Sequence, residues 1–260
     1  MTAQPDSAEP RTDARSDSGA EQPHTWRPDR LMVIVAHPDD ADFGPAGTVA
    51  TWVAAGSVAW LVCCTSGDQG GEDHALDPLA LAVIRESEQR AAADVIGYAG
   101  VSFLHQPDGA LANDLSLREL LVREIRGFRP DAVISTDPET IFRKGGRGIN
   151  HTDHRAAGFA AADAIFPAAR NPMSFPGLVR EGLLPHRVRR LYLAGTNQPT
   201  VRIDTTAQLE RKLQALGCHV SQHAGSAESL RHVRERAANE GEPIGAAAAE
   251  AFRLVVIDPD

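Results

Sequence analysis

Two short polar clusters carry the residues able to do chemistry. The first is His37-Pro38-Asp39-Asp40 and the second is His151-Thr152-Asp153-His154. Together they offer three imidazoles and three carboxylates. Two histidines and one carboxylate form the ligand type of a catalytic zinc that keeps one position open for water. The same nitrogen and oxygen set also suits ferrous iron, so ligand type leaves Zn2+ and Fe2+ both open. Only one of the adjacent aspartates is needed on the ion beside His37. The other is left within reach of a water whose pKa the ion lowers to about 7, where it can act as a general base. His151 and His154 stand one turn apart if a helix has begun, so both can face one point.

The elements that position these clusters follow from patterning. Residues 31–36, LMVIVA, form an uncharged run, as expected of a strand buried on both faces of a parallel sheet. The first cluster follows at once, and in open α/β folds ligands gather beyond the carboxyl ends of the strands. A polar turn with an Asp helix cap is the bland alternative, but a cap needs one acid and no histidine. Further strands are expected at 58–65, 101–104, 132–136 and 190–194, with a terminal edge strand at 252–257. Helices are expected near 45–55, 79–96, 115–128, 155–169, 207–223 and 227–238. Strand alternating with helix at this spacing predicts an α/β fold with a mostly parallel sheet and helices on both faces.

The chain has 260 residues, 42% hydrophobic content and a net charge of -9. That supports one domain over residues 27–260 and argues against nucleic acid or an anionic membrane surface as partner. Residues 1–26 are rich in Ser, Asp, Pro and Ala and are expected to be a disordered tail. They lack the apolar core of a signal peptide, and no run reaches the roughly 18 apolar residues of a membrane span. Cys63, Cys64 and Cys218 read as buried thiols in a reducing cytoplasm. The stretch 170–200, with looser patterning, could supply an interface between copies in a homo-oligomer.

AHPDDAD followed far downstream by NHTDH resembles the LmbE-like / PIG-L family of metal-dependent N-acetylglucosaminyl deacetylases. The TSGDQGG loop, the IRESEQRAAADVIG helix, the FLHQPDGAL segment and HVSQH extend the likeness over most of residues 31–223. The resemblance implies a Rossmann-like sheet and hydrolysis of an N-acyl group from an amino sugar or glycoside, a small-molecule substrate. By the same resemblance His37, Asp40 and His154 are the metal ligands and Asp39 is the general base. His151 would steady the oxyanion or protonate the leaving amine, and Asp153 would orient the His151 ring. Arg85 would reach the substrate head. Asp42 stands where the family has Glu, one methylene shorter, so a longer or rearranged hydrogen bond is expected there.

The remaining polar residues carry less. Asp68 and Gln69 in the glycine loop are candidate substrate contacts, since that loop lacks both dinucleotide and P-loop fingerprints and suits a pocket mouth better than a phosphate cradle. Asp108 reads equally as a turn residue. Asp137 stands at a strand end, by a pocket or as a cap. Arg143, Lys144 and Arg147 lie in a glycine-rich loop suited to an anionic or polyhydroxyl ligand. His219 and His223 lack a neighbouring acid and read as structural, with His223 placed near the pocket only by resemblance. Two competing functions are an amidase for a thiol-sugar conjugate and a non-hydrolytic nucleotide-binding module.

Overall fold

A computed structural model describes residues 21–71, 76–146 and 148–259. The strands are β1 (Arg30–Val35), β2 (Val58–Thr65), β3 (Gly100–Gln106), β4 (Ala132–Thr136), β5 (Arg190–Ala194), β6 (Val201–Asp204) and β7 (Ala249–Val256). The helices are α1 (Asp40–Phe43), α2 (Ala46–Ala54), α3 (Pro78–Ile96), α4 (Leu115–Phe128), α5 (Thr152–Asp163), α6 (Pro176–Arg180), α7 (Leu209–Gly217) and α8 (Ala227–Gly241).

The strands form one seven-stranded sheet in the order β3-β2-β1-β4-β5-β7-β6. The first five are parallel neighbours, while β7 runs antiparallel to both β5 and β6. The sheet is therefore α/β and mostly parallel. β1 sits at its centre, and its side chains divide between two cores. Met32 and Ile34 pack with Leu121, Ile125 and Ala160 of α4 and α5. Leu31, Val33 and Val35 pack with Val49, Trp52 and Ile96 of α2 and α3. A strand covered on both sides tolerates no polar residue, which explains the uninterrupted apolar run. The chain leaves β1 toward β2 on one side and later returns to β4 on the other, so a crevice opens past the ends of β1 and β4.

Four boundaries differ from expectation. The terminal strand begins at Ala249 and lies inside the sheet, because the short β6 pairs beyond it as the edge. The helix expected over 155–169 runs from Thr152 to Asp163 and is broken at Phe166, ahead of Pro167. A proline ring cannot continue the helical hydrogen bonds. The helix expected over 207–223 ends at Gly217. Residues 1–20 of the expected tail lie outside the described residues, but residues 21–26 lie against the sheet. His24 Nε2 is 2.9 Å from the Tyr192 hydroxyl, and Trp26 stacks on the same ring. Among the described residues no helix is long and apolar enough to cross a membrane.

Candidate metal centre and active-site cleft

Past β1 the chain reverses through His37, Pro38 and Asp39. Asp39 takes φ 91°, a left-handed value that Asp tolerates better than most side chains. The turn brings the Asp40 carboxylate back over the strand end, where its Oδ2 accepts the His37 backbone N–H at 2.9 Å. The same oxygen is 3.4 Å from His37 Nδ1, and Oδ1 is 3.0 Å from His154 Nε2. Bonds of about 2.0–2.1 Å in a tetrahedral site put neighbouring ligand atoms roughly 3.3 Å apart. His37 and His154 thus each stand at a ligand-like distance from the Asp40 carboxylate, through different oxygens of it. Donor atoms of His37, His151 and His154 also lie within 4.8 Å of one another.

The other nitrogen of His37 is occupied. Its Nε2 donates to Asp108 Oδ1 at 2.9 Å and lies 3.4 Å from Asp153 Oδ2. A carboxylate holding one imidazole nitrogen fixes the tautomer and turns the other toward a metal. His154 is oriented from behind in the same way, with Nδ1 3.2 Å from Asn150 Oδ1. Asp108 is the partner the turn reading missed. Nothing in HQPDG distinguishes a turn aspartate from one aimed inward, and only the loop path brings it to His37. Asn150 belongs to the NHTDH motif, but no feature of the motif marks it as an orienting group.

Opposed environments divide the aspartate doublet. Burial raises the Asp39 carboxyl, the neighbouring Asp40 charge adds to it, and Arg85 resists, leaving it near pKa 7. Burial would also raise Asp40, but the imidazoles of His154 and His37 outweigh it and hold the carboxyl well below the usual range. Burial lowers His37, yet hydrogen bonds to Asp108 and Asp40 carry it up to about 10. For Asp108, burial is outweighed by the His37 and Gln69 hydrogen bonds, leaving about 2. Two adjacent carboxylates with pKa values driven apart suit different tasks.

Helix α3 clamps Asp39 from behind. Arg85 Nη2 donates to the Pro38 carbonyl at 2.6 Å and to Asp39 Oδ2 at 3.3 Å, and Nη1 donates to the Gly67 carbonyl at 2.8 Å. One turn further on, Gln89 Oε1 accepts the Asp39 backbone N–H at 2.8 Å. Arg85 lines the cleft, but its guanidinium is spent largely on Asp39 and the neighbouring loops. The TSGDQGG loop wraps this guanidinium closely. A Cβ on Gly67 or Gly70 would lie 2.4 or 2.1 Å from Arg85 Nη1. These glycines make room for Arg85, which argues against a phosphate cradle.

Several expectations change. Asp153 does not orient His151: its carboxylate accepts the Gly109 and Leu111 backbone N–H groups at 2.7 and 3.3 Å. His151 instead caps α5, its Nδ1 accepting the Asp153 backbone N–H at 3.2 Å. That bond leaves Nε2 as the donor facing the cleft. Asp68 is absent from the cleft lining, where Gln69 and Gly70 stand. Asp42 shows no lengthened bond: its buried Oδ2 accepts Gln89 Nε2 and His219 Nε2, each at 2.8 Å. His219 is thus fully buried against an acid, while His223 is exposed. Asp137 caps its own turn by accepting the Glu139 N–H. The cleft, of about 370 Å³, collects His37, Asp39, Asp40, Arg85, Asp108 and His151, with His154.

The family model described as PIG-L, GlcNAc-PI de-N-acetylase, matches residues 32–165. A diacetylchitobiose deacetylase of Thermococcus kodakarensis is 28% identical over 193 residues, covering 74% of this chain and 70% of that protein. A 1D-myo-inositol 2-acetamido-2-deoxy-alpha-D-glucopyranoside deacetylase of Kineococcus radiotolerans is 28% identical over 64% of this chain and 52% of its own length. The solved N,N'-diacetylchitobiose deacetylase of Pyrococcus horikoshii, complexed with its inhibitor MPG, superposes with a TM-score of 0.81. The identity there is 28%, over 89% of this chain and 87% of that one.

Proposed function

Because the chain belongs to the PIG-L family, we propose that it is a metal-dependent hydrolase removing the N-acetyl group from an N-acetylglucosamine-containing substrate. The observation that carries this reading is the His37–Asp40–His154 triangle with the separately held Asp39 carboxylate beside it. A domain spanning residues 27–260 supplies all of these groups. When bound there, a divalent ion would polarise the amide carbonyl and acidify a water. Zinc is the ion we assign, and the ligand set also accommodates ferrous iron.

The chain's own residues then have defined work. Asp39, the carboxylate not placed on the ion, takes the proton of the attacking water. Arg85 holds that carboxylate, and Gln89 holds the backbone N–H of the same residue. His151 presents Nε2–H to the carbonyl oxygen as negative charge develops, where one well-placed donor is worth about 3–4 kcal/mol. Cleavage of the C–N bond delivers to the amine the proton that Asp39 took from the water, and yields acetate and a free amino sugar. Asp108 and Asp153 hold His37 and the 109–111 loop in place. The three free thiols, two of them buried on β2, suit a reducing cytoplasm.

The test is a panel of N-acetylated amino sugars and glycosides, including diacetylchitobiose, scored by amine release with and without a chelator. Chelator-sensitive release is the expected result. A zinc-loaded or iron-loaded protein that releases no amine from any member would remove the reading.

A further inference from the structure

Lys212 of α7 is a buried cation to which the chemistry above gives no work. Its Nζ donates to Glu250 Oε1 and to the Gly44 carbonyl, each at 2.5 Å. Glu250, on β7, is buried too, and its two oxygens accept the Gly47 and Thr48 backbone N–H groups at 2.9 and 2.8 Å. One ion pair thus grips the end of α1 and the start of α2 from both the sheet and α7. The approach is close, since a Cβ on Gly47 would lie 2.9 Å from Glu250 Oε1. Replacing a buried ion pair by apolar side chains of similar volume is often neutral or stabilising, so stability alone is a poor account of this one.

What the pair holds is the support of Asp40. Helix α1 is a single turn, Asp40–Phe43, too short to persist on its own, and no side chain caps its start. Gly44 closes it by donating its N–H to the Asp40 carbonyl at 2.9 Å, and the carbonyl of the same Gly44 is the group that Lys212 binds. Arg236 of α8 donates to the neighbouring carbonyl, that of Phe43. Carbonyls at a helix end need such outside donors. Without Lys212 the Gly44 carbonyl loses its partner, and the turn gains a reason to rotate toward water. Asp40 would rotate with it, and its carboxylate stands 3.4 Å from His37 Nδ1 and 3.0 Å from His154 Nε2. A tilt of α1 therefore changes both distances at once. Asp40, His154, Gly44, Lys212 and Glu250 border one cavity, so the ion pair faces the same space as two of the candidate metal ligands.

We propose that Lys212 is a positioning residue of the metal centre, fixing Asp40 through Gly44 and α1. The proposal rests on the metal-dependent reading above. Its test is competition for Zn2+ between a chromogenic chelator and the unaltered protein, Lys212→Met, or Lys212→Met/Glu250→Gln. Thermal unfolding of each metal-free form shows that it is folded at the temperature of the titration. The sign of the change is informative. Deleting a positive charge near the site would by Coulomb attraction alone tighten the binding of a cation, whereas loss of position weakens it. Both variants should bind Zn2+ about tenfold more weakly or worse, the scale seen when a partner that orients a metal ligand is lost. The double variant removes both charges, so the net charge is unchanged and no lone buried charge remains, which keeps the test open where Lys212→Met does not fold. A folded variant whose Zn2+ affinity equals or exceeds that of the unaltered protein overturns the assignment. A lowered unfolding temperature with unchanged affinity overturns it equally, by leaving Lys212 a structural role only. If the unaltered protein binds no divalent ion, the metal-dependent reading fails first and takes the positioning role with it.

Discussion

Gln89 Oε1 accepts the backbone N–H of Asp39 at 2.8 Å, joining the middle of α3 to the left-handed turn after β1. The amide can face that way because its Nε2 donates to Asp42, whose carboxylate only accepts hydrogen bonds. Asp42 is held in turn by His219. The shortened acid of the AHPDDAD motif thus acts on the turn at Asp39 through Gln89, without touching the candidate metal ligands.

Gln89→Leu should remove this acceptor and leave a buried N–H unpaired. An unsatisfied buried group costs about 1–3 kcal/mol. Expressed as misplacement of the base, that predicts a fall in kcat of roughly 10- to 100-fold, with bound metal near normal. Steady-state kinetics alongside metal analysis checks it. An unchanged kcat would show that Asp39 keeps its position without Gln89.

Asp108→Ala should act on the metal instead. The substitution frees His37 Nε2 from its 2.9 Å partner, so the ring can rotate and change tautomer. Losing such an orienting carboxylate typically costs 10- to 100-fold in metal affinity. Competition with a chromogenic chelator measures this directly. Equal affinity in the variant would assign the orienting role to Asp153, which lies 3.4 Å from the same nitrogen.

The sequence displayed the framework more clearly than the supporting contacts. β1 was legible because a strand covered on both faces admits only apolar residues, and both polar clusters follow directly from strand–helix alternation. Asp153 was not legible, because His151 precedes the helix as its cap and helical facing rules do not extend to it. Asp108 was hidden by a turn signal that serves equally for a solvent-facing aspartate. β6 is four residues long in a polar stretch and gives no periodic signal. Gln89 offered one usable clue, since it stands four residues after Arg85 and so shares its helix face.

The pKa shifts give the metal-free protein an unusual pH dependence. His37, raised to about 10, contributes stability that is complete below its unfolded pKa of about 6.5 and is lost as pH climbs through 10. Asp39 is held near 7, so the fold favours its protonated form. Its effect is also a loss of stability with rising pH, between about 4 and 7. Asp40 and Asp108 are shifted down, and their contributions fade only below about pH 4. Chelator-treated protein should therefore become less stable from about pH 5 to 9, while the gain from added metal grows as fewer protons must be displaced from His37. Thermal unfolding across this range, with and without metal, tests both signs. A chelated protein that gains stability over that interval contradicts the assignment.

Asp39→Asn separates the two members of the doublet. Asn tolerates left-handed φ as well as Asp does, so the turn should survive, and an amide oxygen can still accept from Arg85. The spacing among His37, Asp40 and His154 does not involve Asp39, so metal content should stay near that of the unaltered protein. What disappears is the proton acceptor. Loss of a general base typically lowers the rate by about 10²–10⁴-fold, and here the loss should fall on kcat with KM little changed. Metal content and amine release on one preparation decide the matter. A metal-replete Asn variant that turns over at the original rate would move the base role to another group facing the cleft, with His151 the next to substitute.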